Sequence, residues 1–269
     1  MRVLVTNDDG IDGPGLHALA RALDEAGHDV LVVAPDRNHS GYGAAIGDLG
    51  SRSNLDVTRV ALPGAEHTSA WSLVGPPALC VMAARLGGFG EPPEVVASGV
   101  NPGNNTGRAV LHSGTVGAVL TGANFGVSGV AVSVADGPEP RFDTAAEVAV
   151  AAVGWIETAP TKTMLNVNVP GVDRSELRGT RWAQLAPFGT VRAALQQQDE
   201  GILELSLVET GVELPPDSDT SLVAAGYVAV TTLSSIRAAD WEPVAADIER
   251  RLAAPATARV ARPAAGETA

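Results

Sequence analysis

The amino-acid sequence predicts an α/β protein built on one mostly parallel sheet, and three observations support that fold class. The 269 residues are 45% hydrophobic and 18% charged, a composition that can bury one large core. Residues 1–35 read as strand, helix and strand, the pattern of a right-handed βαβ unit with parallel strands. The alternation of apolar runs and amphipathic segments continues to about residue 170.

The first βαβ unit has clear boundaries in the sequence. The apolar run RVLVT predicts the opening strand. The helical spacing of Leu16, Leu19 and Leu23 predicts the helix, and Gly27 stands where helices commonly end. The run HDVLVVAP then predicts a second strand, which Pro35 terminates.

More strands and helices are predicted between residues 55 and 170. Runs rich in β-branched residues predict the strands, and apolar residues at helical spacing predict the helices. The predicted strands are 55–62, 68–74, 94–100, 129–134 and 163–170, and the predicted helices are 76–86, 112–126 and 144–158.

The C-terminal third predicts a different arrangement. RGTRWAQLA (178–186) and GILELSLVE (201–209) read as antiparallel strands around a polar middle, LQQQDEG. A helix and a strand are predicted over 218–234, and a final helix over 240–254.

These elements predict one domain with an appendage. The domain covers residues 1–254, with an antiparallel extension at about 175–215. Residues 255–269 are rich in Ala and Pro and predict a disordered tail.

Composition argues against several classes of function. Lys plus Arg number 18 and Asp plus Glu number 31, and the net charge of −13 disfavours non-specific binding to nucleic acids or anionic membranes. The single cysteine, Cys80, excludes an intrachain disulfide, and its apolar neighbours predict a buried, unreactive thiol. The only lysine, Lys162, follows no glycine-rich loop, which excludes a Walker-type phosphate loop. We find no secretory or transmembrane segment and expect a cytoplasmic protein.

Oxygen-bearing side chains follow three of the predicted strands, in the segments 7–9, 36–40 and 101–105. Because ligands bind at the carboxyl ends of parallel strands, we expect these segments to form a site. Asp8 and Asp9 would repel each other unless a cation neutralised them, and hard oxygen ligands favour Mg²⁺, Mn²⁺ or Ca²⁺. The alternative is that both aspartates only form a turn and cap the next helix.

The segment His112–Gly117 predicts a second component of the site. Small hydroxyl residues at a helix start present backbone N–H groups and the positive end of the helix dipole, which together can bind an anion. The alternative is an ordinary helix cap with glycines for close packing. His39 and His112 are the histidines inside these candidate loops, which makes them the candidates for acid–base chemistry.

Four blocks of the sequence together resemble the SurE family of stationary-phase survival proteins. They are TNDDGIDGPGLHALARAL, VVAPDRNHSG, SGVNPGNNTG and HSGTVGAVLTG, and they occur in the family's order. LNVNVP and SDTSLVAAGYVAVTTL resemble two later blocks, so the resemblance runs from residue 1 to about 235. It implies a Rossmann-like three-layer α/β/α core and a homodimer or homotetramer built partly by an exchanged C-terminal arm.

The resemblance also implies a chemistry. It implies a phosphatase that uses one divalent ion per subunit, Mg²⁺ or Mn²⁺, and hydrolyses nucleoside 5′- and 3′-monophosphates and short polyphosphate. Asp8 or Asp9 would orient the attacking water or accept its proton. The implied metal ligands are Asp8, Asp9, Ser40 and Asn101, and the implied phosphate-binding residues are Asn7, Asn105, Ser113, Gly114 and Thr115.

Three positions depart from the family pattern: His112 stands where Tyr is usual, Ala109 where Asp is common, and Thr121 where an acidic residue is usual. The usual aromatic-rich segment of the antiparallel region is also missing. These departures leave open a second hypothesis, a protein that binds nucleotides without hydrolysing them. A third is a sugar-transferring enzyme, because the strand GHDVLVVAP follows a glycine-rich turn, although the chain is short for two Rossmann domains.

Overall fold

The computed structural model describes residues 1–50, 54–187, 191–199, 201–209, 211–234, 236 and 243–253. The chain divides into two compact units, residues 1–235 and 236–269. The first unit contains the sheets and most of the helices, and the second contains the helix Pro243–Ala253. The predicted tail at 255–269 lies outside the described residues.

The described strands form one large sheet and one hairpin. Their bounds are β1 (Arg2–Thr6), β2 (Asp29–Pro35), β3 (Val57–Val60), β4 (Ser69–Leu73), β5 (Val95–Pro102), β6 (Ser128–Val134), β7 (Met164–Val169), β8 (Thr180–Trp182), β9 (Val191–Asp199), β10 (Ile202–Glu209) and β11 (Val228–Leu233). Every strand that the sequence predicts between residues 1 and 170 is present.

The large sheet has nine strands in the order β3-β4-β2-β1-β5-β6-β7-β11-β8. It is parallel except at two pairs, β3 with β4 and β11 with β7. The chain therefore forms the mostly parallel sheet that its βαβ pattern predicts.

Helices cover both faces of this sheet. They are α1 (Pro14–Glu25), α2 (Pro77–Arg85), α3 (Gly114–Asn124), α4 (Phe142–Ile156) and α5 (Asp219–Ala224), with short 3-10 turns at Gly107–Leu111 and Arg174–Glu176. The second unit contains α6 (Pro243–Ala253). Leu16, Leu19 and Leu23 of α1 share one core cluster with residues of α4, whereas α2 and α3 contribute to a second cluster. The alternation along β1 separates the two cores, since Val3 and Val5 belong to the first and Leu4 to the second. The fold is a three-layer α/β/α arrangement.

The prediction for the antiparallel extension was wrong in its strand partners. RGTRWAQLA contributes β8, which pairs in parallel with β11 in the large sheet. The predicted polar middle instead supplies part of β9, which pairs with β10 in a separate hairpin. Leu195, Leu203 and Leu205 of this hairpin are exposed. Because none of the described side chains of its strands is buried against a core, its sequence need not show the alternation of apolar and polar residues by which strands are recognised.

Cys80 is fully buried, and burial raises the pKa of its thiol, as its apolar neighbours predict. Among the described residues, none of the helices has the length and hydrophobicity that a membrane crossing requires.

Candidate functional site

A cavity of about 340 Å³ opens where β1, β2, β5 and β6 end, beside the amino end of α3. The three polar segments that follow the predicted strands therefore converge. Its buried lining residues, Asp8, Asn105 and Ser113, form what we call the floor. Its exposed lining residues, which include Ser40, His112 and Asp136, form the rim. Of the nine metal- and phosphate-binding residues predicted, six line the cavity: Asp8, Asp9, Ser40, Asn101, Asn105 and Ser113.

A larger groove of about 400 Å³ lies between α4 and the strands β7, β8 and β11. Its lining is apolar apart from Thr180, Thr232 and the indole groups of Trp155 and Trp182, and it contains no ionisable side chain. The acidic cavity is therefore the better candidate for phosphate chemistry, although it is the smaller of the two.

Asp8 joins the end of β1 to the start of α3. One carboxylate oxygen accepts a hydrogen bond from the Gly114 N–H at 3.1 Å, and the other accepts one from the Thr115 hydroxyl at 2.5 Å. A side chain at position 114 would lie 2.7 Å from Asp8 Cβ, so glycine is required there. Gly114 and Thr115 do not line the cavity themselves, but they fix the orientation of Asp8.

Asp9 lies beside Asp8 and is partly exposed. Burial, and secondarily the Asp8 carboxylate, raise the pKa of Asp9 to about 6. The turn does not cap α1, whose N-cap is Gly13 and receives no side-chain hydrogen bond. Asp8 and Asp9 are therefore better described as two crowded carboxylates in one cavity than as caps of the next helix. A bound cation would relieve their repulsion.

Ser40 and Asn101 complete the predicted ligand set. The Ser40 loop is tied to Asp8, because the His39 N–H donates to the Asp8 carbonyl at 2.6 Å. The Asn101 amide nitrogen donates to the Gly103 carbonyl at 2.6 Å, so its side-chain oxygen is the atom that a cation would use. No group of three or more His, Cys, Asp or Glu side chains in the described residues could hold a metal. A metal here would need the serine and asparagine oxygens, and all four predicted ligands are hard oxygen donors that suit Mg²⁺ or Mn²⁺.

The start of α3 is capped within the chain. Ser113 is the N-cap, and its hydroxyl accepts the Val116 N–H at 3.1 Å, which is the ordinary capping role weighed as an alternative. Asp8 accepts the Gly114 N–H. Two of the first N–H groups of α3 are thus already bonded, and anion binding by this helix start stays a prediction.

Asn105 is held by a ladder of buried polar side chains on β6 and β7. Its side-chain nitrogen donates to the Ser133 hydroxyl at 2.9 Å, and its backbone N–H donates to the Asn168 side chain at 2.8 Å. Its carbonyl accepts the side-chain N–H groups of Asn166 and Asn168. The asparagines of LNVNVP therefore fix the loop that follows β5.

Asp219, at the start of α5, holds the same loop from its other end. This carboxylate is fully buried and accepts the Gly107 N–H at 2.8 Å and the Ala186 N–H at 3.0 Å. Gly107 begins the short turn that carries Ala109 to the cavity and ends next to His112. Asp219 thereby connects the segment before the β9–β10 hairpin to one wall of the site.

Asn7 does not line the cavity. Its side chain closes the turn after β1 by bonding the carbonyl and N–H of Gly10, at 2.9 and 3.2 Å. Of the departing positions, Ala109 and His112 line the cavity. Thr121 lies within α3, where its hydroxyl donates to the Gly117 carbonyl at 2.8 Å. A phosphate-binding role for Asn7 stays a prediction.

Sequence reasoning missed Asp136, Asp219, Ser133, Asn166 and Asn168. A signal existed for the two asparagines, because amides inside an apolar strand must find hydrogen-bond partners when buried. Asp219 offered a weaker one, an acidic residue in the first turn of a predicted helix. Asp136, two residues after β6, follows the same rule about strand ends that selected Asp8 and Asn101.

The fold and the cavity define a class: a three-layer α/β protein with an oxygen-lined, acidic site at the carboxyl edge of its parallel strands. Comparison with known proteins identifies the family within that class. The family model described as "Survival protein SurE" matches residues 3–193. The chain belongs to the SurE family.

Individual relatives agree with this assignment. The chain is 36% identical over 243 residues to the 5'-nucleotidase SurE of Xylella fastidiosa (strain M12), covering 87% of this chain and 89% of that protein. It is 37% identical over 240 residues to the 5'-nucleotidase SurE of Gloeobacter violaceus, with the same coverages. The crystal structure of the Aquifex aeolicus SurE protein superposes with a TM-score of 0.75 at 28% identity, covering 91% of this chain and 98% of that one.

Proposed function

We propose that this protein is a divalent-metal-dependent phosphomonoesterase that hydrolyses nucleoside 5′- and 3′-monophosphates, with short polyphosphate as a further substrate class. The observation that carries the proposal is the junction of Asp8 with Gly114 and Thr115, which holds one of two adjacent cavity carboxylates against a helix start. Two relatives that are named 5'-nucleotidases, at 36% and 37% identity, support the substrate class.

We assign different roles to the two aspartates. Each Asp8 oxygen already accepts a hydrogen bond, which suits a group that holds position. Asp9 lies beside it at the cavity surface, where it can orient a water molecule or accept its proton. Ser113 and Asn105, both on the floor, provide polar groups for the phosphoryl oxygens.

One divalent ion per subunit would be held by Asp8, Asp9, Ser40 and Asn101, all of which line the cavity. Such an ion, Mg²⁺ or Mn²⁺, polarises phosphoryl oxygens and lowers the pKa of bound water. The charge of the cavity supports a requirement for a cation, because its lining includes three carboxylates and no lysine or arginine among the described residues. A phosphate dianion would otherwise meet net negative charge.

We also propose a homodimer or homotetramer. Leu195 and Leu205 are paired across the β9–β10 hairpin, and Leu203 lies two residues before Leu205 on the same face. All three are about 65% exposed, which is the kind of apolar surface that a second subunit covers. Light scattering coupled to gel filtration measures the mass, and a monomer at micromolar concentration would contradict this part of the proposal.

The decisive experiment measures phosphate release from nucleoside 5′- and 3′-monophosphates, 4-nitrophenyl phosphate and short polyphosphate. Each substrate is tested in EDTA and after addition of Mg²⁺, Mn²⁺ or Co²⁺. Asp8→Asn is compared with Asp12→Asn, because Asp12 is exposed in the same turn and does not line the cavity. Titration calorimetry with Mn²⁺ alone gives metal affinity independently of activity.

We expect hydrolysis that depends on the metal, is lost in Asp8→Asn and is unchanged in Asp12→Asn. Hydrolysis that EDTA does not affect would contradict the metal requirement. Nucleotide binding without turnover under every metal would instead favour the hypothesis of a binding protein, as the departures at Ala109 and His112 suggest.

A further inference from the structure

The structure separates the two histidines that the sequence places in the candidate loops. His39 is 5% exposed and does not line the cavity. Its ring packs edge-on against Tyr42, and its Nε2 lies 3.7 Å from an Asp36 carboxylate oxygen. His112 is exposed and lines the cavity. Only His112 is therefore placed to reach a bound substrate.

The backbone of His112 is fixed from two sides. Its N–H donates to the Ala109 carbonyl at 3.0 Å, and its carbonyl accepts the Gly43 N–H at 3.1 Å. His112 directly precedes Ser113, the N-cap of α3. The imidazole thus extends from a well-held position on the rim, next to the floor where the phosphoryl group is proposed to lie.

Hydrolysis of a nucleotide requires a proton donor for the leaving group, and the floor residues do not include a side chain suited to that role. The leaving group is a sugar hydroxyl, and the oxygen that departs from phosphorus is a strong base unless it receives a proton. The other titratable side chains that line the cavity are the carboxyls of Asp8, Asp9 and Asp136. Histidine is the side-chain type that donates protons most readily near neutral pH. His112 is the only lining residue of that type in the described part of the chain.

We propose that His112 is the general acid that protonates the leaving sugar oxygen, an inference that rests on the proposed function. Water attacks phosphorus as the bond between phosphorus and the sugar oxygen breaks, and the electron pair of that bond stays on the sugar oxygen. The imidazolium gives its proton to this oxygen, and the attacking water gives a proton to a cavity carboxylate. Both groups then exchange with solvent, so ester and water become nucleoside and inorganic phosphate.

A comparison of leaving groups tests this role. 4-Nitrophenolate departs without help from an acid, whereas the sugar oxygen of a nucleoside monophosphate needs a proton. For His112→Gln we expect kcat with adenosine 5′-monophosphate to fall by about 100-fold or more, within the range for general acids. We expect kcat with 4-nitrophenyl phosphate to change by less than about threefold, since the donated proton is dispensable there.

His67→Gln is the matched control, because His67 is an exposed histidine outside the cavity lining. It should leave both rates unchanged. The melting temperature and the Mn²⁺ affinity of His112→Gln should equal those of the wild type, which separates loss of the acid from loss of the site.

Three results would overturn the inference. Equal losses with both substrates would show that His112 positions the phosphate, and a rise in KM with unchanged kcat would show that it binds the nucleoside. Unchanged kinetics with both substrates would show no role. A wild-type protein that hydrolyses neither ester would instead refute the proposed function itself.

Discussion

The floor and the rim of the cavity differ in what holds their side chains. On the floor, Asp8 and Asn105 bond groups that lie 107 and 63 residues away in the chain. On the rim, His112 is held through its backbone, whose carbonyl accepts the Gly43 N–H and whose N–H donates to the Ala109 carbonyl. The Ser40 N–H donates to the side chain of Asn38, two residues away. Substitutions on the floor therefore disturb the fold and the chemistry together, whereas the rim can change residue type at little structural cost.

The largest effect is expected from Gly114→Ala, directly beside Asp8 of the floor. The added methyl group would lie 2.7 Å from Asp8 Cβ and 2.8 Å from its Oδ2, which forces the carboxylate to move. We expect kcat/KM to fall by at least about 100-fold, because displacements of about an ångström cost that much in active sites. Gly154→Ala in α4 is the control, since nothing lies within 4 Å of its added carbon. Steady-state kinetics with a nucleoside monophosphate measures both, and near-normal activity of Gly114→Ala would contradict a rigid floor.

The next effect concerns the two hydrogen bonds that Asp219 accepts from the Gly107 and Ala186 N–H groups, which we call the clasp. Asp219→Ala leaves the buried N–H groups of Gly107 and Ala186 without their acceptor. We expect the free energy of unfolding to fall by about 3 kcal/mol, the sum expected when two buried donors lose their acceptor. Asp217→Ala removes an exposed carboxylate two residues away and should cost less than about 0.5 kcal/mol. Urea denaturation compares them, and equal stabilities would show that the clasp is not important.

A smaller effect, on the pH dependence of stability, is expected from Asp9, which lies between the floor and the rim. Burial and the Asp8 carboxylate raise the pKa of Asp9 to about 6 from 3.8, so the folded metal-free protein holds this proton more tightly than the unfolded chain does. The stability contributed by Asp9 is complete at low pH and is lost as the pH rises from about 4 to about 6. Because Asp9 is partly exposed, we expect the loss to be about 1 kcal/mol after screening.

Urea denaturation in EDTA across this pH range measures that loss. Asp9→Asn cannot ionise, so its free energy of unfolding should rise relative to that of the wild type between pH 4 and 6 and stay parallel above. Asp12→Asn provides the exposed control in the same turn. A constant difference across the whole range would contradict the raised pKa.

The smallest effect is expected on the rim, at Asp136. Its exposed carboxylate lines the cavity and adds to the negative charge that a phosphate must approach. We expect Asp136→Asn to raise kcat/KM about twofold to threefold at low ionic strength and to have no effect at high salt, because salt screens exposed charges. Glu139→Gln, in the same loop but outside the cavity lining, is the control. A large loss of activity would instead assign Asp136 to the reacting centre.

The sequence predicts the site best where local patterns suffice. The positions of Asp8, Ser40 and Asn101 follow from the strand ends, because parallel strands present their carboxyl ends at one edge. The partners of Asn105 and Asp219 lie 63 and 112 residues away from them, and no local pattern specifies such pairs. Strand β9 was missed for a related reason, since an exposed hairpin is not required to alternate apolar and polar residues.

Two contacts of the site join residues that are far apart in the chain. Asp8 and Thr115 are 107 residues apart, and Gly107 and Asp219 are 112 residues apart. These separations also affect how the protein folds. Contacts between residues so far apart form only after much of the chain has lost its freedom, which makes them late and slow events. A chain that has been synthesised only to α4 holds both aspartates and the start of α3 but lacks the asparagines of β7 and the clasp of α5. The completed cavity is thus a property of the nearly finished polypeptide, and catalysis can serve as a reporter of refolding from urea.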